Sequence, residues 1–263
     1  MAALIKRQFS ASALWSRRVA YFSLVLLGVS AGAHRFDFIT TPALLGVLIV
    51  VAILALCAIA LAAVGISRLW RRGDKAGRNA TAGILMALVA LTPFMTAGVA
   101  NFYFPELNDI STDLDRPPEL ALGEGTRGPL ANPPEMPLPS QAAVQSQAYP
   151  DTIGRLFEAP PEQVAAAVLA EAEDRHWVTL DAPVFGEGIP ELTYEFTART
   201  LFFGFVADVA VRITGVSEAS LVDMRSASRY GTHDFGDNAR RIASFLAAVD
   251  ARLKAIPPAQ AGL

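Results

Sequence analysis

The chain has 263 residues, of which 52% are hydrophobic and 18% are charged, and it carries one cysteine and a net charge of −3. One cysteine excludes an intrachain disulfide, and the chain lacks the basic footprint of a nucleic-acid-binding protein. The small net charge hides an uneven distribution of charge along the chain. Residues 1–104 hold ten Lys or Arg and two acidic residues, whereas residues 105–263 hold twelve Lys or Arg and twenty-three acidic residues.

Three long apolar stretches predict a three-helix transmembrane region at about residues 19–33, 43–66 and 80–104, and none of them contains a charged side chain. About 20 apolar helical residues cross the hydrocarbon core of a bilayer. The second and third stretches reach that length, while the first is short. Ala31-Gly32-Ala33 leaves a cleaved signal peptide as an alternative reading of the first stretch. Transport pathways normally place ionisable residues within the membrane, so these stretches indicate an anchor.

The distribution of basic residues predicts the orientation. Basic side chains precede the first stretch and fill the loop between the second and third: Lys6, Arg7, Arg17, Arg18, Arg68, Arg71, Arg72, Lys75 and Arg78. Positive loops stay in the cytoplasm. We therefore expect a multi-pass protein of a bacterial inner (plasma) membrane, with a cytoplasmic N-terminus and a periplasmic C-terminal domain.

Residues 105–150 are predicted to be an acidic, Pro-rich extended segment, because prolines are frequent and large apolar residues are few. Three aspartates in the stretch 108–118 have oxygen ligands suited to Ca²⁺, but the glycine and the bidentate glutamate of a calcium loop are missing. Asx-type turns are the favoured interpretation. We expect neither a metal nor a cofactor.

Residues 151–255 are predicted to form a soluble α+β domain, followed by a tail at 256–263. Pro160 and Pro161 suit the start of a helix that ends near Arg175. Alternating apolar residues predict strands at about 177–180, 192–200 and 205–213, and a shorter one around 222–224. A second amphipathic helix follows. The order predicts an antiparallel sheet of about four strands, with one buried side, packed on two helices.

The most informative string runs from Arg225 to Ile242: Arg-Ser-Ala-Ser-Arg-Tyr-Gly-Thr-His-Asp-Phe-Gly-Asp-Asn-Ala-Arg-Arg-Ile. Together with the run 205–209, it resembles the bacterial domain-of-unknown-function family 1499, and residues 108–118 resemble a segment of its membrane-anchored subset. Ala207 departs from the acidic residue that the resemblance implies beside Asp208. The resemblance covers about residues 105–255, implies that part of 108–118 packs on the domain, and implies no activity.

The same string has the residue types of an anion site at the start of a helix, for a phosphate, a carboxylate or a lipid headgroup. The candidate residues are Arg225, Ser226, Ser228, Arg229, Asp234, Asn238 and Arg241. The favoured alternative is that Arg225 and Arg229 pair within the domain with Asp208, Asp223 or Asp234. Asp234 and Asn238 then cap or brace the start of the helix.

A hydrolase is a further alternative, because Ser226 or Ser228 with His233 and Asp234 has the residue types of a catalytic triad. No Gly-x-Ser-x-Gly elbow surrounds either serine. We therefore expect an integral membrane protein of unknown biochemical role, with a non-catalytic binding or interaction domain. The expected partners are membrane lipids and either an envelope protein or a small anion, and not nucleic acid.

Overall fold

The structure is a computed structural model that describes residues 8–128, 130–184 and 190–255. Lys6, Arg7 and the predicted tail at 256–263 lie outside the described residues. The chain divides into two compact units, residues 1–100 with 202–204 and residues 101–201 with 205–263.

Three long helices occupy the N-terminal part of the chain. They are α1 (Ala11–Arg35), α2 (Thr41–Arg72) and α3 (Gly77–Tyr103). In length and composition α2 and α3 are able to cross a membrane, with mean hydropathies of 3.3 and 1.9 over their most apolar windows. Helix α1 begins eight residues before the predicted span and includes Arg17 and Arg18. It does not meet the same criterion, so the described residues contain two candidate spans instead of the three predicted.

Small and hydroxylated residues let these helices approach closely. Ser16 Oγ donates to the carbonyl oxygen of Ala58 at 2.7 Å, and Ser23 Oγ donates to that of Val51 at 3.0 Å. Gly83 lies against Ser16, where a Cβ atom would overlap the hydroxyl group. Such contacts are typical of helix pairs that associate without a hydrophobic driving force between them.

The second unit is an α+β domain with a six-stranded antiparallel sheet. Its elements are β1 (Asp109–Ser111), a short 3-10 helix (Glu124–Thr126), α4 (Pro139–Ala148), β2 (Arg155–Phe157), α5 (Pro161–Asp174), β3 (Val178–Asp181), β4 (Glu191–Arg199), β5 (Val206–Val216), β6 (Ala219–Ser228) and α6 (Asp237–Ala255). The strand order is β1-β6-β5-β4-β3, and β2 also pairs with β6. The count of about four strands was too low, because β1 and β2 have three residues each and are too short to alternate visibly.

The hydrophobic core lies between one face of the sheet and helices α5 and α6. Side chains that the sequence predicts to point inward are buried there: Val164, Val168, Tyr194, Phe196, Val209, Val211, Ile213, Val222, Met224, Ile242, Phe245, Leu246 and Val249. Both predicted helices and all four predicted strands are present. Periodicity of 3.6 in the helices and of 2 in the strands thus located this core correctly.

The opposite face of the sheet is covered by chain that the sequence predicted to be extended. We call residues 109–128 and 130–136 the cover segment; its Leu120 is buried with Ala210 of β5 and Ala227 of β6. The prediction that only one side of the sheet is buried was therefore wrong, because side chains on this second face are buried as well. Glu195, for example, is 5% exposed. The prediction of an extended segment also missed α4. Gln145 of this helix satisfies the edge of β1, because its side-chain amide exchanges hydrogen bonds with the backbone of Ser111 at 3.1 and 2.6 Å.

Candidate functional site

The predicted anion-site residues lie at the end of β6, in the turn that follows and in the first turns of α6. Gly231 and Gly236 have φ angles of 84° and 75° in this turn, where glycine has no steric penalty. Position 236 requires glycine for a second reason, because a Cβ atom there would lie 2.7 Å from the ring of Phe104. Glycine is thus favoured at these two positions of the turn that directs the chain from the sheet into α6, whereas Phe235 adopts a positive φ of 54° in the same turn.

Strand alternation places the four candidate residues at the end of β6 on two faces of the sheet. Successive side chains of a strand point to opposite faces. Ser226 and Ser228 reach Asn238 of α6 on the helix face, whereas Arg225 and Arg229 contact the cover segment on the other face. The structure therefore brings together the serines, Asn238 and Arg241, but places Arg225 and Arg229 elsewhere.

Arg225 is completely buried under the cover segment. Its Nη2 group donates to Asp109 Oδ2 and to the carbonyl oxygen of Glu135, both at 2.6 Å. Its Nη1 group donates to the carbonyl oxygen of Pro118 at 3.3 Å. A guanidinium that joins a strand to three points of one segment fixes that segment on the sheet.

Arg229 is also engaged on this face. It donates to both carboxylate oxygens of Asp208, and its Nη2 group donates to Thr126 Oγ1 at 2.7 Å. Arg127 adds a second ion pair to Asp208 at 2.7 Å. The internal pairing favoured by the sequence is thus present for Arg229 with Asp208, whereas Arg225 pairs with Asp109 instead of Asp223 or Asp234.

On the helix face, Asn238 is the centre of a hydrogen-bond network and is fully buried. Ser226 Oγ donates to Asn238 Oδ1 at 2.8 Å, and Asn238 Nδ2 donates to Ser228 Oγ at 3.0 Å. Arg241 donates to Ser226 Oγ at 2.9 Å and also contacts Asn238 Oδ1. These bonds join the end of β6 to the first turn of α6.

Asp234 stabilises the start of α6. It accepts hydrogen bonds from the backbone N–H groups of Gly236 at 2.8 Å and Asn238 at 2.9 Å, as capping side chains do. Burial raises the pKa of Asp234 above its ordinary value of 3.8, although these two hydrogen bonds act in the opposite direction. The negative charge of Asp237 raises the pKa further.

The candidate triad residues bond to other groups. His233 Nε2 lies 3.1 Å from the carbonyl oxygen of Phe104, and His233 Nδ1 accepts a hydrogen bond from the backbone N–H of Phe235 at 3.1 Å. The serines bond to Asn238. Among the described residues, no hydrogen bond joins either serine to His233, so the geometry of a nucleophile activated by a base is not formed.

Arg241 lines a cleft that the sequence did not predict. The cleft has a volume of about 650 Å³ and lies between the α5–β3 junction, the end of β4 and the first turns of α6. Its other basic residues are Arg175, Arg199 and Arg240. These arginines are separated by up to 66 positions in the sequence, and no local spacing signals that they converge.

In the parts of the chain that the structure describes, no group of three or more His, Cys, Asp or Glu side chains is arranged to hold a metal ion. Two of the three aspartates of the stretch 108–118 have other partners. Asp109 pairs with Arg225, and Asp113 Oδ1 accepts the backbone N–H groups of Asp115 and Arg116 at 3.1 and 2.9 Å. Asp113 thus forms the Asx-type turn that the sequence favoured.

A comparison of the sequence with protein-family profiles identifies one family. A family profile described as "Protein of unknown function (DUF1499)" matches residues 109–249. No curated protein matches the chain. The crystal structure of TTHA0849 from Thermus thermophilus is similar over 39% of this chain and 94% of that chain, with 13% identity and a TM-score of 0.21. A likeness of that size carries no argument about fold or function.

Proposed function

The chain belongs to the DUF1499 family of proteins of unknown function, and we propose that it is an integral protein of a bacterial inner membrane which presents a non-catalytic binding or interaction domain to the periplasm. The observation that carries this proposal is the exposed apolar surface of α2 and α3. Apart from Arg68, which lies just before the last turn of α2, neither helix has an acidic or basic residue between its terminal turns.

Large apolar side chains remain exposed along both helices. On α2, Ile49, Ile53 and Leu56 are between 55% and 61% exposed; on α3, Leu85 and Val99 are 59% and 57% exposed. Soluble proteins rarely expose continuous apolar surface of this extent. A bilayer removes it from water, and helix α2, with 32 residues, is about 48 Å long and exceeds the hydrocarbon thickness.

Charge supports the orientation. Arg71 and Arg72 end α2, Lys75 lies in the connection that follows, and Arg78 lies in the first turn of α3. Basic residues beside membrane helices are retained in the cytoplasm. With the α2–α3 connection inside, the chain that follows α3 emerges on the periplasmic side. Helix α1 then acts as a third, more polar helix of the anchor.

The bonding of the Arg225–Ile242 string supports a role in binding instead of catalysis. Its serines, His233 and Asp234 are engaged with the backbone or with Asn238. Such bonds rigidify a surface and stabilise a helix start. We infer that the domain acts through a preformed surface, with membrane lipids and an envelope protein or a small anion as partners. The excess of acidic residues in 105–263 repels nucleic acid.

Reporter fusions test the topology. Alkaline phosphatase, which is active only in the periplasm, is fused after Leu263, and the matched control fusion is placed after Gly73 in the α2–α3 connection. The proposal expects activity at the first site and none at the second, with the protein retained in membranes after alkaline carbonate extraction. Activity at Gly73 alone, or release by carbonate, would falsify the proposal.

A further inference from the structure

We propose that the cleft lined by Arg175, Arg199, Arg240 and Arg241 binds an anionic group, a phosphate or a carboxylate. The inference rests on the proposed binding role of the domain and names the class of ligand. It places the ligand on the helix side of the sheet, away from Arg225 and Arg229, which the cover segment already occupies.

The shape of the cleft suits a small ligand. Its volume of about 650 Å³ falls within the range of about 300–1,000 Å³ typical of ligand sites. Three separate parts of the domain form its walls: the residues after α5, the turn after β4 and the first turns of α6. Trp177 contributes an aromatic wall and stacks on Phe245 with their centroids 4.8 Å apart.

Two of the four cleft arginines, Arg175 and Arg241, are held in place before any ligand binds. Arg175 Nε donates to Glu171 Oε1 at 2.7 Å, and its Nη1 and Nη2 groups donate to Ser244. Arg241 is held by Asp237 and Ser226. Guanidinium groups fixed in this way lose little conformational entropy when an anion binds, which favours affinity.

Arg240 is the arginine best placed to meet a ligand from solvent. Its side chain is 69% exposed, yet its Nε and Nη2 groups donate to the carbonyl oxygens of Gly236 and Phe235 at 3.1 and 3.3 Å. The Nη1 group has no hydrogen-bond partner among the described residues. It therefore offers a donor to an anion at the mouth of the cleft.

The cleft concentrates positive charge in an acidic domain. Four of the twelve basic residues of 105–263 line it, and among the described residues Asp237 is the one carboxylate in its lining. Burial lowers the pKa of Arg241 below its ordinary value; Asp237 opposes this shift, and the like charge of Arg175 adds to it. An anion in the cleft would relieve this repulsion, which is why an anionic ligand is favoured over a neutral one.

The anionic group could belong to either of two kinds of ligand, a soluble anion or the headgroup of an acidic phospholipid. The test uses the full chain. In detergent, binding of inorganic phosphate is measured by calorimetry at constant ionic strength. In nanodiscs, the thermal unfolding midpoint is compared between phosphatidylglycerol and phosphatidylcholine. Arg240→Gln removes one cleft charge, and Arg116→Gln is the matched control, because Arg116 is 66% exposed and lies outside the cleft.

We expect Arg240→Gln to weaken phosphate binding about tenfold, since one charge-assisted hydrogen bond is lost, and Arg116→Gln to leave it unchanged. Phosphate binding that responds to Arg240→Gln supports a soluble anion. Stabilisation by phosphatidylglycerol alone, lost in Arg240→Gln, supports a headgroup. Absence of both effects, or equal effects of the two variants, overturns the inference. The detergent arm does not depend on membrane orientation, so its failure is distinguishable from failure of the topology test.

Discussion

Arg229 and Asp208 form a buried, two-pronged ion pair on the face of the sheet opposite the helices. Arg229 Nη2 lies 2.7 Å from Asp208 Oδ1, and Arg229 Nε lies 3.0 and 3.1 Å from the two carboxylate oxygens. The side chains are 9% and 1% exposed. Because Arg127 of the cover segment shares the same carboxylate, Asp208 joins β5 to the turn after β6 and to the cover segment.

Asp208→Asn is expected to destabilise the domain strongly. The substitution leaves two buried guanidinium groups facing a neutral amide, and breaking a buried ion pair costs about 3 to 5 kcal/mol. Urea unfolding of the full chain in detergent measures the loss. Arg116→Gln is the control, because it breaks an exposed pair with Glu191 whose contribution is about 0 to 1 kcal/mol. Similar losses in both variants would contradict a structural role for the buried pair.

Glu195→Gln is expected to loosen the cover segment without unfolding the sheet. The Glu195 carboxylate accepts the backbone N–H groups of Ala121, Leu122 and Gly123 at 3.0 to 3.3 Å, and an amide has one acceptor oxygen and no charge. Hydrogen exchange read by mass spectrometry should show faster exchange at these three amides. The exposed Glu218→Gln serves as the reference variant. Unchanged exchange in Glu195→Gln would mean that other contacts hold this segment.

Asp113 is expected to make the domain sensitive to acid. Burial alone would raise its pKa, but the backbone N–H of Arg116 and the Arg212 guanidinium outweigh burial and hold the pKa below 3.8. A lowered pKa contributes stability that is fully present above pH 3.8 and is lost as the pH falls through the folded-state pKa. Asp113→Asn should therefore flatten the acid limb of a plot of unfolding midpoint against pH.

Asp234 is expected to change stability with pH in the direction opposite to Asp113. Its raised pKa means that the folded state binds its proton more tightly than the unfolded state, so its contribution to stability falls as the pH rises from 3.8 through the folded-state pKa. Asp234→Asn should remove this fall and leave the acid limb due to Asp113 in place. If the two variants change the same limb in the same direction, the assignment of the two carboxylates is wrong.

Gly83→Val is expected to separate α1 from α3. A Cβ atom at position 83 overlaps the hydroxyl of Ser16 and lies 3.1 Å from the backbone nitrogen of Arg17, which cannot move independently. Gly98→Val on the same helix is the control. It makes the same chemical change at a position where nothing lies within 4 Å of the added Cβ atom. The unfolding midpoint of the helical region in detergent should fall in the first variant and remain within a few degrees of wild type in the second.

Sequence reasoning predicted most of the elements because their signals are local. The apolar faces of α5 and α6 and the alternation in β4 and β5 each repeat over enough residues to be recognised. The three-residue strands β1 and β2 do not. Helix α4 was missed because its residues are small or polar and show little amphipathic pattern, so its formation depends on contacts such as that of Gln145 with Ser111.

The amino-acid sequence alone was enough to divide the chain into a basic, apolar half and an acidic half, and to identify the helix face of the sheet and the family of the domain. These properties follow from composition, short periods and one contiguous string. Which groups the arginines meet depends on tertiary folding: Arg225 bonds to Asp109, 116 positions away, and Arg175 reaches Ser244, 69 positions away. The alternation of residues along a strand predicts which face of the sheet a side chain lies on. Contacts between residues far apart in the sequence determine which segment covers that face and which charged side chains line the same cleft.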